Sequence, residues 1–213
     1  VKANLPLMMI QGFSCSESDW GALPKMIASA GQRPVLTFDN RGINNSPQPV
    51  EGATLDNFVE DTLEVMESVG WSRAHIMGIS MGGMIAQSLA KRHPAAVSSL
   101  ILGCTTSGGQ NAVPVPEIFV NFASKWASSN FSDTDEQRRF AEQFIRMMLP
   151  SSIASIGLQG KQGTGGATLE ANLVEKFFAT KRSKAGLNRQ LVACGDFNSS
   201  GYLSDLGAPR IPG

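Results

Sequence analysis

Ser80 is the residue of this chain best placed to do chemistry, because it lies between two glycines in the pattern Gly-x-Ser-x-Gly, from Gly78 to Gly82. The apolar run Ala74–Met77 precedes it and predicts a short strand. Apolar residues recur at helical spacing after it and predict a helix that ends at His93-Pro94: Met81, Met84, Ile85 and Leu89. A serine at such a strand-to-helix turn is typical of a nucleophile that forms acyl intermediates.

The helix predicted after Ser80 would supply part of this chemistry. Free N–H groups in its first turn would point toward the serine, where negative charge develops on a carbonyl oxygen during acyl transfer. The flanking glycines have no Cβ, so the strand and the helix can approach closely. A Gly-Ser turn without chemistry is the alternative. The five-residue pattern occurs by chance roughly 0.2 times in a chain like this one, so its setting carries the prediction.

A serine nucleophile needs a base, and the chain contains two histidines, His75 and His93. His75 lies inside the strand before Ser80, where we expect a packed or hydrogen-bonded residue against a face of the sheet. His93 ends the following helix, where it would interact with the negative end of the helix dipole. Neither is predicted to act as the base. Asp196 and Asp205 are candidates for an acid, but no spacing supports either.

Composition excludes several classes of function. The 213 residues are 42% hydrophobic, enough for one large domain with a real core. Eighteen basic and eighteen acidic residues cancel without forming a block of one sign, which argues against a nucleic-acid partner. No run is long enough to span a membrane and no signal peptide is visible, so we expect a cytoplasmic protein. Cys15, Cys104 and Cys194 are expected to be free thiols, and no cluster has the spacing of a metal site.

Hydrophobic periodicity predicts alternating strands and helices in the first half of the chain. Asp19 is expected to cap a first helix that ends at Gly31, and Thr54 to begin a second helix that ends at Gly70. Four apolar runs are expected to form parallel strands joined by helical crossovers: Leu7–Ile10, Val35–Phe38, Ala74–Met77 and Val97–Leu102. An α/β fold follows, with a parallel sheet and helices on its faces.

The second half of the chain has a different character. From about residue 114 the spacing of apolar residues predicts helices, and no clear strand is visible. The predicted helices are 114–127, 133–149 and 168–181. Their aromatic stripes are predicted to be packing faces rather than a cofactor site, because helical spacing alone explains them. Residues 161–167, rich in glycine, are expected to form a loop. The chain is therefore divided into a core at 1–110, a helical lid at 111–200 and the start of further core at 201–213.

Four motifs in the first half, taken in their order, resemble the alpha/beta-hydrolase superfamily, closest to its single-domain esterase, lactonase and aminopeptidase-like branch. The motifs are the first strand, Gln11-Gly12-Phe13, Phe38-Asp39-Asn40-Arg41-Gly42 with Ser46, and Met77-Gly78-Ile79-Ser80-Met81-Gly82-Gly83. The resemblance covers roughly residues 5–105. Together with the right-handed crossover rule, it implies that the four strands lie in the order second, first, third, fourth. It implies Ser80 as the nucleophile and an oxyanion hole made by the backbone N–H groups of Phe13 and Met81.

Two departures from this family pattern are small. Gln11 stands where the family often has a histidine whose role is structural. Asn44 stands where the family often has a second glycine, and asparagine tolerates left-handed backbone better than most residues.

A third departure is serious, because the resemblance implies that an acid and a histidine follow the serine on loops after two further strands. No histidine follows His93, and the chain begins with Val1. We therefore expect a partial alpha/beta-hydrolase fold, a fragment without the C-terminal core strands. Segments 189–191 and 203–206 resemble the approach to the next core strand.

The expected function is that of a serine hydrolase acting on a small carboxylic ester, thioester or lactone, with no cofactor. Without the acid and the histidine, this chain itself is expected to be nearly inactive. The alternatives are a non-catalytic protein that binds a small ligand on the same fold and a scaffold without a pocket function.

Overall fold

The structure is a computed structural model that describes residues 4–47, 54–109, 117–129, 134–154 and 168–199. The first part of the chain alternates strands and helices: β1 (Leu7–Ile10), α1 (Leu23–Gly31), β2 (Val35–Thr37), α2 (Leu55–Ser68), β3 (Ala74–Ile79), α3 (Met81–Arg92) and β4 (Val97–Gly103). The second part is helical: α4 (Glu117–Ser128), α5 (Thr134–Met148), α6 (Ser151–Ala154), α7 (Leu169–Ala179) and α8 (Lys184–Gly195).

The four strands form one parallel sheet in the order β2-β1-β3-β4. Met9 of β1 lies opposite Thr37 of β2 on one side and Met77 of β3 on the other, and Met77 in turn faces Ile101 of β4. The predicted direction and order of the strands are confirmed. Because the strands are parallel, their carboxyl ends lie along one edge of the sheet, and every loop that follows a strand starts there.

Apolar side chains cover both faces of the sheet. Successive residues of β1 alternate between the faces, so Met8 and Ile10 join the larger core beneath α2 and α3, while Leu7 and Met9 pack with Trp20 on the α1 side. All four residues of β1 are buried. A strand covered on both faces is expected to be continuously apolar, and this explains why its sequence shows no alternation.

The start of the first helix differs from the prediction. Asp19 does not cap α1 but lies in a separate 3₁₀ turn, Glu17–Trp20, where its carboxylate accepts the Ser16 N–H at 2.8 Å. Gly21 interrupts the backbone after this turn (φ 58°), so α1 begins only at Leu23. At its other end, Gln32 rather than Gly31 takes the left-handed conformation. Thr54, in contrast, begins α2 as predicted.

The three helices expected in the second half are present as α4, α5 and α7. Helix α5 packs on α7, and α4 packs on α8. Their aromatic residues form a continuous cluster, in which the ring centroids of Phe122 and Phe140 are 4.4 Å apart and those of Trp126 and Phe177 5.1 Å. The aromatic stripes are therefore packing faces, as predicted. The predicted loop 161–167 lies outside the described residues.

Helix α8 was not predicted, and the interpretation of 189–191 as an approach to a core strand is wrong, since these residues lie inside this helix. The Ser183 hydroxyl caps it by accepting the Gly186 N–H at 2.9 Å. Its buried residues are Gly186, Leu187, Gln190 and Ala193, which lie on one face because they repeat at helical spacing. The segments 203–206 and 201–213 lie outside the described part.

The beginning of α8 is fastened to the loop after β2. Ile43 and Arg182 form an antiparallel bridge, and the Ser183 N–H donates to the Gly42 carbonyl at 3.2 Å. Asn44, which has the left-handed backbone expected of it (φ 47°), exchanges two hydrogen bonds with Lys181 at 2.8 and 2.9 Å. This junction holds the helical part of the chain against the carboxyl edge of the sheet.

The three cysteines, Cys15, Cys104 and Cys194, are all free. Burial raises the pKa of Cys15 and of Cys194 to about 12, so both thiols stay protonated and are weak nucleophiles.

No group of three His, Cys, Asp or Glu side chains that could hold a metal ion occurs among the described residues. Within the same residues, no helix is long and apolar enough to cross a membrane.

Gln190 joins α8 to two loops of the sheet. Its side chain is fully buried, its carbonyl oxygen accepts the Ser14 N–H at 2.8 Å, and its amide donates to the Arg41 carbonyl at 3.2 Å. We expect Gln190→Leu to lower the free energy of unfolding by about 3 kcal/mol, because two buried backbone groups lose their partners. Urea titration followed by circular dichroism measures this loss.

Asn188→Leu is the matched control, since the same amide group on the same helix is exposed there. Its effect should stay within about 0.5 kcal/mol. Equal effects of the two substitutions would show that the hydrogen bonds of Gln190 do not stabilise this junction.

Candidate active site

Ser80 occupies the junction between β3 and α3, at the carboxyl edge of the sheet. Its φ is 54° and its ψ −121°, a conformation that L-residues rarely adopt. The backbone is held on both sides: the Ser80 N–H donates to the Gly103 carbonyl at 2.9 Å, and the Ser80 carbonyl accepts the Thr105 hydroxyl at 2.7 Å. The predicted sharp turn from strand to helix is present, and hydrogen bonds to the end of β4 and to the loop after it offset its strain.

The glycines around Ser80 bring three pieces of backbone into contact. A Cβ on Gly78 would lie 2.2 Å from the Gly82 carbonyl oxygen, and a Cβ on Gly82 would lie 2.2 Å from the Ile10 carbonyl oxygen. Neither distance leaves room for a side chain. The start of α3 therefore packs directly on the end of β3 and on the end of β1, which fixes the position of Ser80 between them.

The loop after β1 runs beside Ser80. An ideal Cβ on Gly12 would lie 3.1 Å from the Ser80 Cβ and 3.6 Å from its Oγ. Phe13 is the next residue, and it is buried, as is Met81 at the start of α3. The described residues supply no hydrogen-bond acceptor for the backbone N–H of Phe13 or of Met81. The structure thus brings both expected oxyanion donors to the neighbourhood of Ser80.

Gln11, at the position where the resemblance leads one to expect a histidine, keeps this loop in place. Gln11 is buried, its side-chain oxygen accepts the Gly12 N–H at 3.3 Å, and its carbonyl accepts the Asn40 amide at 3.0 Å. The glutamine therefore takes a structural position inside the loop, as expected of the residue that replaces a family histidine.

Residues 6–143 match the family model described as alpha/beta hydrolase fold. The chain belongs to this family. Among solved structures, a hydrolase from Pseudomonas aeruginosa superposes with a TM-score of 0.70 at 20% identity, over 94% of this chain and 68% of that one. At this level of identity the superposition shows the fold alone.

Curated relatives match mainly the first part of the chain. It is 37% identical over 102 residues to the Mycobacterium tuberculosis protein named "Putative non-heme bromoperoxidase BpoC", covering 47% of this chain and 38% of that protein. It is 27% identical over 165 residues to 3-oxoadipate enol-lactonase 1 of Acinetobacter baylyi, covering 72% of this chain and 59% of the relative. The matched part thus spans less than two thirds of the length of these relatives.

Neither histidine of this alpha/beta-hydrolase chain is placed to serve Ser80. His75 is half-buried in β3, and its Nδ1 is hydrogen-bonded to the Ser99 hydroxyl at 2.7 Å. Burial, with Arg33 and Arg73 nearby, lowers its pKa, so it is neutral at pH 7. It lies five residues from Ser80 along the strand, or about 16 Å at the rise of a strand.

His93 ends α3, about 20 Å from Ser80 at the rise of a helix. Its Nε2 lies 3.6 Å from the Glu60 carboxylate, and its N–H donates to the Leu89 carbonyl at 2.8 Å. Asp196 ends α8, where its backbone N–H donates to the Val192 carbonyl at 3.1 Å, and Asp205 lies outside the described residues. No base or acid for Ser80 is therefore found in the described part of the chain.

Two contacts, one at Ser80 and one at the loop after β1, have no signal in the sequence. Thr105, in the loop after β4, donates its hydroxyl to the Ser80 carbonyl, and its side chain fills the space in which a Cβ on Gly83 would lie. The second contact is made by Arg182, whose Nε donates to the Ser14 carbonyl at 2.7 Å and to its hydroxyl at 2.8 Å. These residues are far apart in sequence, so only the tertiary fold brings them together.

The close approach of β3 and α3 at Gly78 can be tested by comparing this glycine with Gly103 of β4. Gly78→Ala should lower the free energy of unfolding by about 3 kcal/mol, because the new methyl group overlaps backbone that has no free space to move. Gly103→Ala should cost less than about 1 kcal/mol, since a Cβ there would lie 3.4 Å from the Ile79 side chain, an ordinary contact.

Thermal unfolding followed by circular dichroism compares the two variants. If Gly78→Ala were as stable as Gly103→Ala, the packing of α3 on β3 at Ser80 would be looser than the structure indicates.

Proposed function

We propose that Ser80 is the nucleophile of an acyl-transfer reaction. The observation that carries this proposal is the backbone of Ser80, held in a rarely populated conformation at the first turn of α3, with Gly12 against its side chain. Strained backbone of this kind is characteristic of functional sites. The side chain then lies at the edge of the sheet where ligands of α/β folds bind.

In the proposed reaction, the Ser80 oxygen attacks a carbonyl carbon while its proton passes to a base. The carbonyl oxygen becomes an oxyanion, and the free N–H groups of Phe13 and Met81 would donate to it. Collapse of this intermediate breaks the bond to the alcohol oxygen, thiol sulfur or ring oxygen, which takes the proton from the base, and leaves an acyl ester on Ser80. Water then hydrolyses this ester and regenerates the serine.

The base is the part of the machinery that the described residues do not provide. The family resemblance implies that a histidine and an acid supply it, after the serine in chain order. A serine hydroxyl without a base is a weak nucleophile at neutral pH. We therefore propose that the complete activity belongs to the whole protein and that the 213-residue chain by itself turns over esters slowly, if at all.

The proposed substrates are small carboxylic esters, thioesters or lactones. One relative is named an enol-lactonase, which supports a reaction at an acyl carbon. The helices α4 to α8 would act as a lid, because Arg182 and Gln190 bind the Ser14 backbone next to the proposed oxyanion donor. Their aromatic cluster favours a substrate with an apolar group.

A non-catalytic protein that binds a small ligand is the second candidate function. It is favoured by one observation, that neither a histidine nor a carboxylate contacts Ser80 among the described residues. The two candidates differ in one measurable respect, since the nucleophile proposal requires an activatable oxygen at Ser80 and the binding proposal does not.

Acylation in the presence of imidazole separates these candidates. Imidazole added from solution supplies a base, so p-nitrophenyl acetate should transfer its acetyl group to Ser80, and mass spectrometry of the digested protein should find the modification there. Without imidazole, the release of p-nitrophenol should be no faster than for Ser80→Ala.

Ser88→Ala is the control, because it removes a hydroxyl from the same helix but leaves the turn intact. It should be acetylated at Ser80 as the parent chain is. An unmodified Ser80, or an acetyl group spread equally over several serines, would contradict the nucleophile proposal and favour the binding protein.

A further inference from the structure

A cavity of about 250 Å³ lies within the helical part of the chain, apart from Ser80. Three aromatic side chains form much of its wall: Trp126 of α4, with Phe177 and Phe178 of α7. Two cations, Arg182 and Lys184, also line it, and its remaining lining among the described residues is uncharged. A cavity with aromatic walls and two cations, whose described lining includes no carboxylate, matches a ligand with an apolar body and a negative charge.

Arg182 contributes a positive charge that forms no ion pair with an acidic side chain among the described residues. Its guanidinium donates to the Ser14, Phe177 and Thr180 carbonyls and to the Ser14 hydroxyl, all of which are neutral. Its third nitrogen, Nη2, is buried and has no hydrogen-bond partner in the described part of the chain. The group also lies 3.8 Å from the centroid of the Phe177 ring.

This charge persists at neutral pH. Burial lowers the pKa of Arg182 to about 10, with Cys15 and Asp19 opposing that shift. At pH 7 the guanidinium is still protonated. A half-buried cation whose hydrogen bonds all go to neutral acceptors loses part of its hydration without gaining a counter-charge, and a nearby anion would offset part of that cost.

Lys184 adds to this positive potential from an unusual position. It is the first residue of α8, where the helix dipole is already positive, and no acidic residue occurs in the first turn. A lysine at this end of a helix is unfavourable unless an anion lies close to it. The carboxylate of Glu175 on α7 is already paired with Arg138 at 2.5 Å, and Arg138 itself lies over the Phe178 ring.

We propose that this cavity binds a small monocarboxylate with an apolar or aryl body. The carboxylate lies toward Lys184 and the first turn of α8, in the field of Arg182, while the apolar body packs on Trp126, Phe177 and Phe178. This site goes beyond the acyl chemistry proposed for Ser80, since none of the residues of that chemistry line it. Binding there requires neither a base nor an intact nucleophile.

A matched pair of probes tests the proposed charge recognition. Phenylacetate and 2-phenylacetamide have nearly the same shape, but only the first is charged at pH 7. Isothermal titration calorimetry should give an affinity for phenylacetate about tenfold higher than for the amide, because only the acid satisfies the unpaired positive charge.

Two lysine variants localise the effect. Lys184→Met should weaken phenylacetate binding about fivefold and leave the amide unchanged, since it removes one exposed cation of the cavity. Lys181→Met is the control, because this neighbouring lysine is exposed and does not line the cavity. Equal melting temperatures of both variants and the parent chain would show that neither substitution disturbs the fold.

Three outcomes would overturn the proposal. They are no saturable binding of phenylacetate, equal affinities for the acid and the amide, and equal effects of Lys184→Met and Lys181→Met. Ser80→Ala should bind phenylacetate as the parent chain does. A failure of acetylation at Ser80 would therefore leave this site intact, so the two proposals can fail separately.

Discussion

The close packing of three backbone segments around Ser80 is the constraint on which the rest of the structure depends. The end of β3, the start of α3 and the end of β1 meet where Gly78 and Gly82 leave no room for side chains. Ser80 is forced into a positive φ between them, and it is held there by Gly103 at the end of β4 and by Thr105 in the following loop. Any shift of the sheet or of α3 would move the serine, so the geometry of the site is a property of the whole sheet.

A second junction attaches the helical part of the chain to the sheet. Arg182, Gln190 and the start of α8 bind the loops that follow β1 and β2, through hydrogen bonds to Ser14, Arg41 and Gly42. Ser14 is one residue beyond the proposed oxyanion donor. The helices are thus attached to the sheet at the loop that would recognise a carbonyl oxygen, and their position bears on the shape of that site.

The distribution of charge separates two regions of this alpha/beta-hydrolase chain. Around Ser80 the described residues present backbone N–H groups and glycines, with no charged side chain bonded to the serine. The cavity among the helices is lined by aromatic rings and by Arg182 and Lys184. Neutral dipoles suit a charge that appears only during a reaction, whereas fixed cations suit a ligand that carries its charge throughout.

The sequence by itself determined the parallel sheet, the turn at Ser80 and the left-handed Asn44, because these follow from apolar runs and local backbone preferences. The order of the strands followed from the family resemblance together with the handedness of crossovers. The sequence misplaced the start of α1 and missed α8, whose limits depend on Gly21 and on a buried face that only its neighbours define. The tertiary structure alone decided the contacts of Thr105 with Ser80 and of Arg182 with Ser14. The second pair is 168 residues apart, and no local pattern records a hydrogen bond that forms only when distant segments pack together.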